Sequence, residues 1–187
     1  FKEDFYREAA DRGVAFVRYE PENKPQVETA VDEQGKPCLR IRVPDPILNK
    51  PTHLVAHIDS AVRHLIDQMI ATMRHHPRCV GLAAPQIGSA LRIAVMDASV
   101  HPKAGANHGL LVLVNPVLEL GEGGSSQREG CLSIPDFTGN VRRAQRVRLK
   151  AQDREGVAYE RMLEGYEAIV AQHEIDHLDG KLFLDRV

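Results

Sequence analysis

The stretch Gln172-His173-Glu174-Ile175-Asp176-His177 contains His-Glu-x-x-His, and its reading decides how the rest of the chain is organised. On a helix, residues four positions apart leave the same face one turn from each other, so His173 and His177 are placed to grip one cation, with Glu174 beside it. That helix is expected over 165–178, closed by Asp179-Gly180, where glycine suits the left-handed cap. The same pattern also fits an amphipathic helix with exposed histidines, so alone it leaves both readings open. A metal centre needs a third protein ligand and a position left for water.

Known arrangements place that ligand downstream, either a carboxylate roughly twenty residues on, as in thermolysin-like enzymes, or a histidine six residues on, as in metzincins. The sequence stops at Val187 and has Phe at 183, so the third ligand is sought upstream. The best candidate is Cys131 in Glu129-Gly130-Cys131-Leu132-Ser133. A lone cysteine is more often a small core residue than a ligand. Here Gly121, Gly123, Gly124 and Gly130 precede it in what reads as a flexible loop able to approach a site closely, and Pro135 follows. A third stretch, Gly81-Leu82-Ala83-Ala84-Pro85-Gln86-Ile87-Gly88, reads as a tight turn of small residues carrying one amide side chain.

Length and composition frame these stretches. With 187 residues, 43% hydrophobic and 27% charged, the chain suits one well-buried core and one catalytic domain. A formal charge of −2, with Lys and Arg spread along the chain, gives no footprint for nucleic acid or an anionic membrane. No apolar run approaches the roughly 18 residues that span a bilayer, and no signal peptide opens the chain, so a soluble protein is expected. Cys38, Cys79 and Cys131 are an odd number without close spacing, which points to a reducing compartment. The first residue is Phe1, read as the start of a processed or excised piece; the cytoplasm is the expected location, with an organelle open.

Along the chain, residues 2–12 read as a charged helix stopped by Gly13, 14–17 as a buried strand, 21–25 as a loop, and 27–31 with 39–43 as a hairpin around the turn 32–36. Val62, Leu65, Ile66, Met69, Ile70 and Met73 recur at spacings of three and four, which predicts a helix over 59–73 with one buried face. Strands are expected at 92–96, 110–114 and 141–150, with Gly156 turning the chain into a last one. Strands among a few helices without regular βα alternation indicate an α+β fold with mostly antiparallel pairing.

The three stretches together, in this order, resemble the motifs of the peptide deformylases: a glycine-rich segment ending in Ala-Ala-x-Gln, then Glu-Gly-Cys-Leu-Ser, then Gln-His-Glu-x-Asp-His. The likeness runs over 43–187, including "VPDPILNKP" and Asn115-Pro116. It implies antiparallel sheets around a central helix bearing the two histidines, and removal of the formyl group from N-formylmethionine of new polypeptides, releasing formate. It further implies that Cys131, His173 and His177 bind the metal, typically Fe(II), with Zn(II), Ni(II) or Co(II) as possible substitutes. Glu174 would shuttle the proton, while the Leu132 backbone N–H and the Gln86 side chain would receive the oxyanion. Val80, Gly81, Tyr166, Ile169 and Val170 are expected around the methionine side chain, the last three because they precede His173 on its helix face. Glu129, Gln172 and Asp176 are expected to orient the ligands. The expected partners are N-formylmethionyl peptides and, transiently, the ribosome.

Two positions depart from the family pattern. Cys79 stands where a glycine is usual, which requires a negative φ there and a slightly altered turn. Thr138 stands where many bacterial members carry an arginine, so one substrate contact should be weaker. Residues 1–42 form an N-terminal extension, a helix plus hairpin, that somewhat resembles a segment of flavin- and iron–sulfur-containing heterodisulfide-reductase-like subunits and would then be fusion-derived. The competing functions are another His-Glu-x-x-His protease or amidase, and a non-catalytic deformylase-like or redox-partner module.

Overall fold

The computed structural model describes residues 28–31, 37–40, 43, 45–76, 78–121 and 123–187. The helix, strand and loop expected over 2–25 and the turn 32–36 lie outside these residues, and with them most of the N-terminal extension. Of the expected hairpin, β1 (Glu28–Val31) and β2 (Pro37–Arg40) pair antiparallel, Glu28 opposite Arg40. A 3-10 turn, Pro46–Asn49, then leads to α1 (Ser60–His75), whose first turn is capped by Asp59 accepting from the Val62 N–H at 2.9 Å. After α1 come β3 (Gly81–Ala83), β4 (Ile93–Asp97), β5 (Leu110–Leu120), β6 (Ser125–Cys131), β7 (Ile134–Arg143), β8 (Arg146–Gln152), β9 (Ala158–Glu164) and α2 (Gly165–Leu178).

Five strands form one antiparallel sheet in the order β3-β4-β5-β8-β9. Because side chains alternate across a strand, β4 and β5 each feed two cores. In β4, Ile93 and Val95 pack with Val62, Ile66, Met69 and Met73 of α1. Ala94 and Met96 face the other way, toward Ala168, Val170, Ala171, Ile175 and Leu178 of α2. The helix α2 is therefore covered nearly all round: from Glu167 to Leu178 only His173 is not fully buried. It ends as its sequence predicts, with Gly180 at φ 71° against the backbone of Lys50 and Pro51, where a Cβ would collide.

The strand pattern differs from expectation in four places, the first being β3, which occupies the opening residues of the stretch read as a tight turn. The strand starting at Leu110 runs to Leu120, carried past Asn115-Pro116 by a register shift in which Asn115 takes φ 52°. Its side chain spans the irregularity, accepting from the Val55 N–H at 2.8 Å and donating to the Val55 carbonyl at 2.9 Å. The glycine-rich segment before Cys131 is loop only in part, because β6 occupies 125–131 and pairs with β7. The strand expected over 141–150 is two, β7 and β8, separated at Ala144-Gln145. Glycines and charges conceal β6 from a hydrophobic pattern, since its one buried position before Cys131 is Glu129. A third cluster, Leu48, Ile134, Val141, Leu182 and Phe183, fastens the β6–β7 hairpin to the chain after α2.

The two-sided sheet gives a stability prediction. Ile66→Ala, in a side chain with no exposure, should lower the unfolding free energy by about 2–5 kcal/mol, whereas Leu54→Ala, 70% exposed, should stay within about 0.5 kcal/mol. Urea titration of both variants against the parent chain measures the contrast.

Candidate metal centre

Three side chains from two elements converge on one point. α2 presents His173 and His177 from consecutive turns, β6 delivers Cys131 at its end, and their ligand atoms lie within 4.8 Å of one another. The Cys131 sulfur is 3.2 Å from Nε2 of His177, and the two imidazoles meet edge to face with centroids 4.9 Å apart. Burial pushes the Cys131 thiol up, but the imidazoles beside it outweigh that and hold its pKa well below the usual thiol value. Burial likewise pushes His173 down, while Cys131 and Glu129 hold it well above its usual value. A half-buried thiolate with two imidazoles is a donor set suited to a borderline divalent cation, so the residues fit a metal.

The orientation of His173 is fixed from behind. Its Nδ1 lies 2.9 Å from Oε2 of Glu129, so the Nδ1 proton is held by the carboxylate and Nε2 is left toward the ligand point. Glu129 is itself clamped by Arg143, with Nε to Oε1 at 2.7 Å and Nη2 to Oε2 at 2.9 Å. The same guanidinium donates to Asp176 through Nη1, and Arg186 donates to Asp176 at 2.6 Å. Burial raises the Glu129 pKa, but Arg143 and His173 outweigh it and bring it to about 2. Gln172 does something else: it accepts from the Ala144 N–H and donates to the Ala144 carbonyl, tying α2 to the β7–β8 connection rather than to a ligand.

Glu174 is buried beside Gly81. Burial raises its carboxyl to about 7 against the pull of the two imidazoles. Its Oε2, and Nδ1 of His177, have no hydrogen-bond partner among the described residues. A Cβ at Gly81 would overlap the Glu174 carboxylate, which is the physical reason for glycine there. Gln86 sits in the short helical turn after β3. Its Oε1 accepts from the Ala83 N–H at 2.8 Å, and this turns Nε2 toward Cys131 Sγ at 3.5 Å and Ser133 Oγ at 3.3 Å. Leu132 follows Cys131 in the turn between β6 and β7 and packs against the α1 core.

The expected pocket residues gather only in part as a wall. Val80 and Tyr166 pack, half-buried, against the core that contains Val170; Ile169 and Val170 are each 5% exposed, so much of their surface is core. Cys79 does not take positive φ; that conformation falls on Arg78, at φ 67°, one residue earlier. The Cys79 thiol donates to the Gly81 carbonyl at 3.1 Å. Thr138 accepts from Nε of Arg128 at 2.8 Å on the outer face of the hairpin.

Arg143 and Ser133 were not among the residues singled out in the sequence. Ser133 lies inside the Glu-Gly-Cys-Leu-Ser stretch, and its burial could have been weighed there. For Arg143 the available signal was indirect: two acidic residues placed near a metal, Glu129 and Asp176, require a cation if they are buried. Arg143→Met should destabilise the fold by about 3–5 kcal/mol by taking the buried guanidinium from Glu129 and leaving Asp176 to Arg186 alone, and should weaken metal retention. Urea unfolding together with metal content after dialysis reads both effects.

Comparison with known proteins places this geometry. A sequence model described as polypeptide deformylase matches residues 40–187. Relatives named peptide deformylase include one from Alkalilimnicola ehrlichii, 47% identical over 142 residues, 76% of this chain and 77% of that protein. Another, from Aquifex aeolicus, is 46% identical over 144 residues, 77% of this chain and 83% of that protein. Among solved structures, a peptide deformylase from Legionella pneumophila aligns with a TM-score of 0.72 at 39% identity, covering 84% of this chain and 86% of that one. One from Ehrlichia chaffeensis in complex with actinonin aligns with a TM-score of 0.73 at 29% identity, covering 86% and 90%.

Proposed function

The chain belongs to the polypeptide deformylase family, and we propose that Cys131, His173 and His177 hold its metal, that Glu174 moves the proton, and that Gln86 and the Leu132 N–H receive the oxyanion. Its reaction is removal of the formyl group from the N-formylmethionine of nascent polypeptides, with release of formate. The observation that carries the assignment of roles is the arrangement of Gln86 Nε2, 3.5 Å from the Cys131 sulfur, in the same buried site as an unpartnered Glu174 carboxylate oxygen.

Enzymes of this family are metal-dependent, and a divalent cation bound there would polarise the formyl carbonyl and make a water acidic enough to attack at neutral pH. Glu174 accepts the proton released from the attacking water and delivers it to the amine as the C–N bond breaks, so formate and a free amino terminus leave. Gln86 donates from Nε2 to the carbonyl oxygen as negative charge develops on it. Its own carbonyl is already held by Ala83, so the amide cannot turn its oxygen to the site without losing that bond. Glu129, Arg143 and Asp176 keep His173 in the tautomer that presents Nε2. Val80, Gly81 and Tyr166 border the methionine side chain, with Ile169 and Val170 as its floor.

Fe(II) is the metal we propose, with Zn(II), Ni(II) and Co(II) able to occupy the same donors. Because the substrate is a polypeptide still being made, we also place the enzyme in the cytoplasm, in transient contact with the ribosome. Among the described residues no helix is long and apolar enough to cross a membrane.

Anaerobic purification, metal analysis and formate release from formyl-Met-Ala-Ser form the test. Glu174→Ala should abolish formate release while keeping the metal; full activity in metal-free protein, or none in correctly metallated protein, would overturn the proposal. Gln86→Ala should lower kcat by about 10²–10³-fold, the loss typical of one oxyanion donor. Gly81→Ala should lower kcat with metal content unchanged, because its methyl group displaces Glu174 and not a ligand. Parallel metal analysis and steady-state kinetics separate the two outcomes.

A further inference from the structure

The connection from β4 to β5, residues 98–109, is fastened at both of its histidines to consecutive residues of α2. The His101 ring lies on the Tyr166 ring, with centroids 4.3 Å apart and planes inclined by 22°. Nδ1 of His101 accepts from the Lys103 N–H at 3.1 Å, which leaves the ring proton on Nε2 and the imidazole neutral. Burial and then Lys103 lower its pKa in the same sense. Toward the other end of the connection, the His108 backbone N–H donates to Oε1 of Glu167 at 2.8 Å, and its Nδ1 lies 2.8 Å from Oε2. Glu167 is 2% exposed and sits in the first turn of α2, where the helix N-terminus favours a carboxylate.

Tyr166 is the link between this loop and the site. It lies seven residues before His173, hence two turns back on the same helix face. Burial raises the pKa of its hydroxyl, and the charges of Glu129, Cys79 and Glu174 add to that, so the phenol is within electrostatic reach of the metal centre. Tyr166 therefore shares a helix face with His173 while its ring is stacked by His101 of the loop.

We infer that residues 98–109 form the outer wall of the pocket for the substrate's first side chain, with His101, stacked on Tyr166, as a specificity-determining residue. The inference rests on the deformylation reading above, since it needs a formyl-peptide seated at Cys131, His173 and His177. Two stacked rings make a rigid, flat, polarisable wall, which suits a slim thioether chain and leaves a small side chain without contact. The pair His108 and Glu167 is a positioning pair: it keeps the loop, and so His101, against the helix without touching substrate.

Formate release from formyl-Met-Ala-Ser and formyl-Ala-Ala-Ser, together with binding of the product Met-Ala-Ser by calorimetry, tests this on the metallated enzyme. His101→Ala and His101→Gln should each lower the Met-to-Ala ratio of kcat/KM by about tenfold, the scale on which a side-chain pocket discriminates, with the loss in KM rather than kcat. They should weaken Met-Ala-Ser by a similar factor, and His101→Phe, which keeps a stacked ring, should restore both. His108→Ala should act in the same direction and less strongly. An unchanged ratio and unchanged peptide affinity in both non-aromatic variants would overturn the inference. If the parent enzyme releases no formate while peptide binding still depends on His101, the deformylation reading falls and the pocket wall stands.

Discussion

Arg143 holds two carboxylates that come from different parts of the chain, Glu129 on β6 and Asp176 on α2, and all three are nearly fully buried. A charge in that position is costly to bury alone, and the geometry here compensates it with a bidentate pair on one side and further donation on the other. The consequence reaches the metal ligands directly. Glu129 orients His173, Asp176 lies one residue before His177, and Cys131 lies two residues beyond Glu129 at the end of the same strand. Hairpin and helix cannot shift relative to each other without unpairing a buried ion.

The rest of the fold supplies the constraints that make this network possible. The five-stranded sheet separates two apolar cores, so α2 is enclosed by protein and its polar residues must find protein partners. Most of them do: Gln172 at Ala144, Asp176 at Arg143 and Arg186, Glu167 at His108. The exceptions sit where the proposed chemistry would occur, at Glu174 Oε2 and His177 Nδ1. Unsatisfied buried groups are expensive, and on α2 they fall where a site prepared for a cation and a water would require them.

Much of this was legible in the residues. The spacing of Val62, Ile66, Met69 and Met73 gave α1 and its buried face, and the histidine pair with Asp179-Gly180 gave α2 to its last residue. β6 was hidden because the residues that make it a strand are glycine, serine and charged side chains, and its burial depends on Arg143 rather than on apolar alternation. The split of the 141–150 strand was hidden for a related reason: a two-residue connection at Ala144-Gln145, without glycine or proline, leaves no local mark, and Gln172 holds it from another element.

The sequence by itself determined the ligand types and their spacing, because four residues on a helix fix two histidines on one face whatever surrounds them, and three short motifs in one order carried the family resemblance. Which nitrogen of His173 faces inward, why position 81 has no side chain, and how Gln86 is turned were decided only by tertiary structure. Each depends on an atom brought from far along the chain: Oε2 of Glu129, the carboxylate of Glu174, and the Cys131 and Ser133 groups reached from Gln86. Distances of that kind follow from packing, which local spacing does not encode.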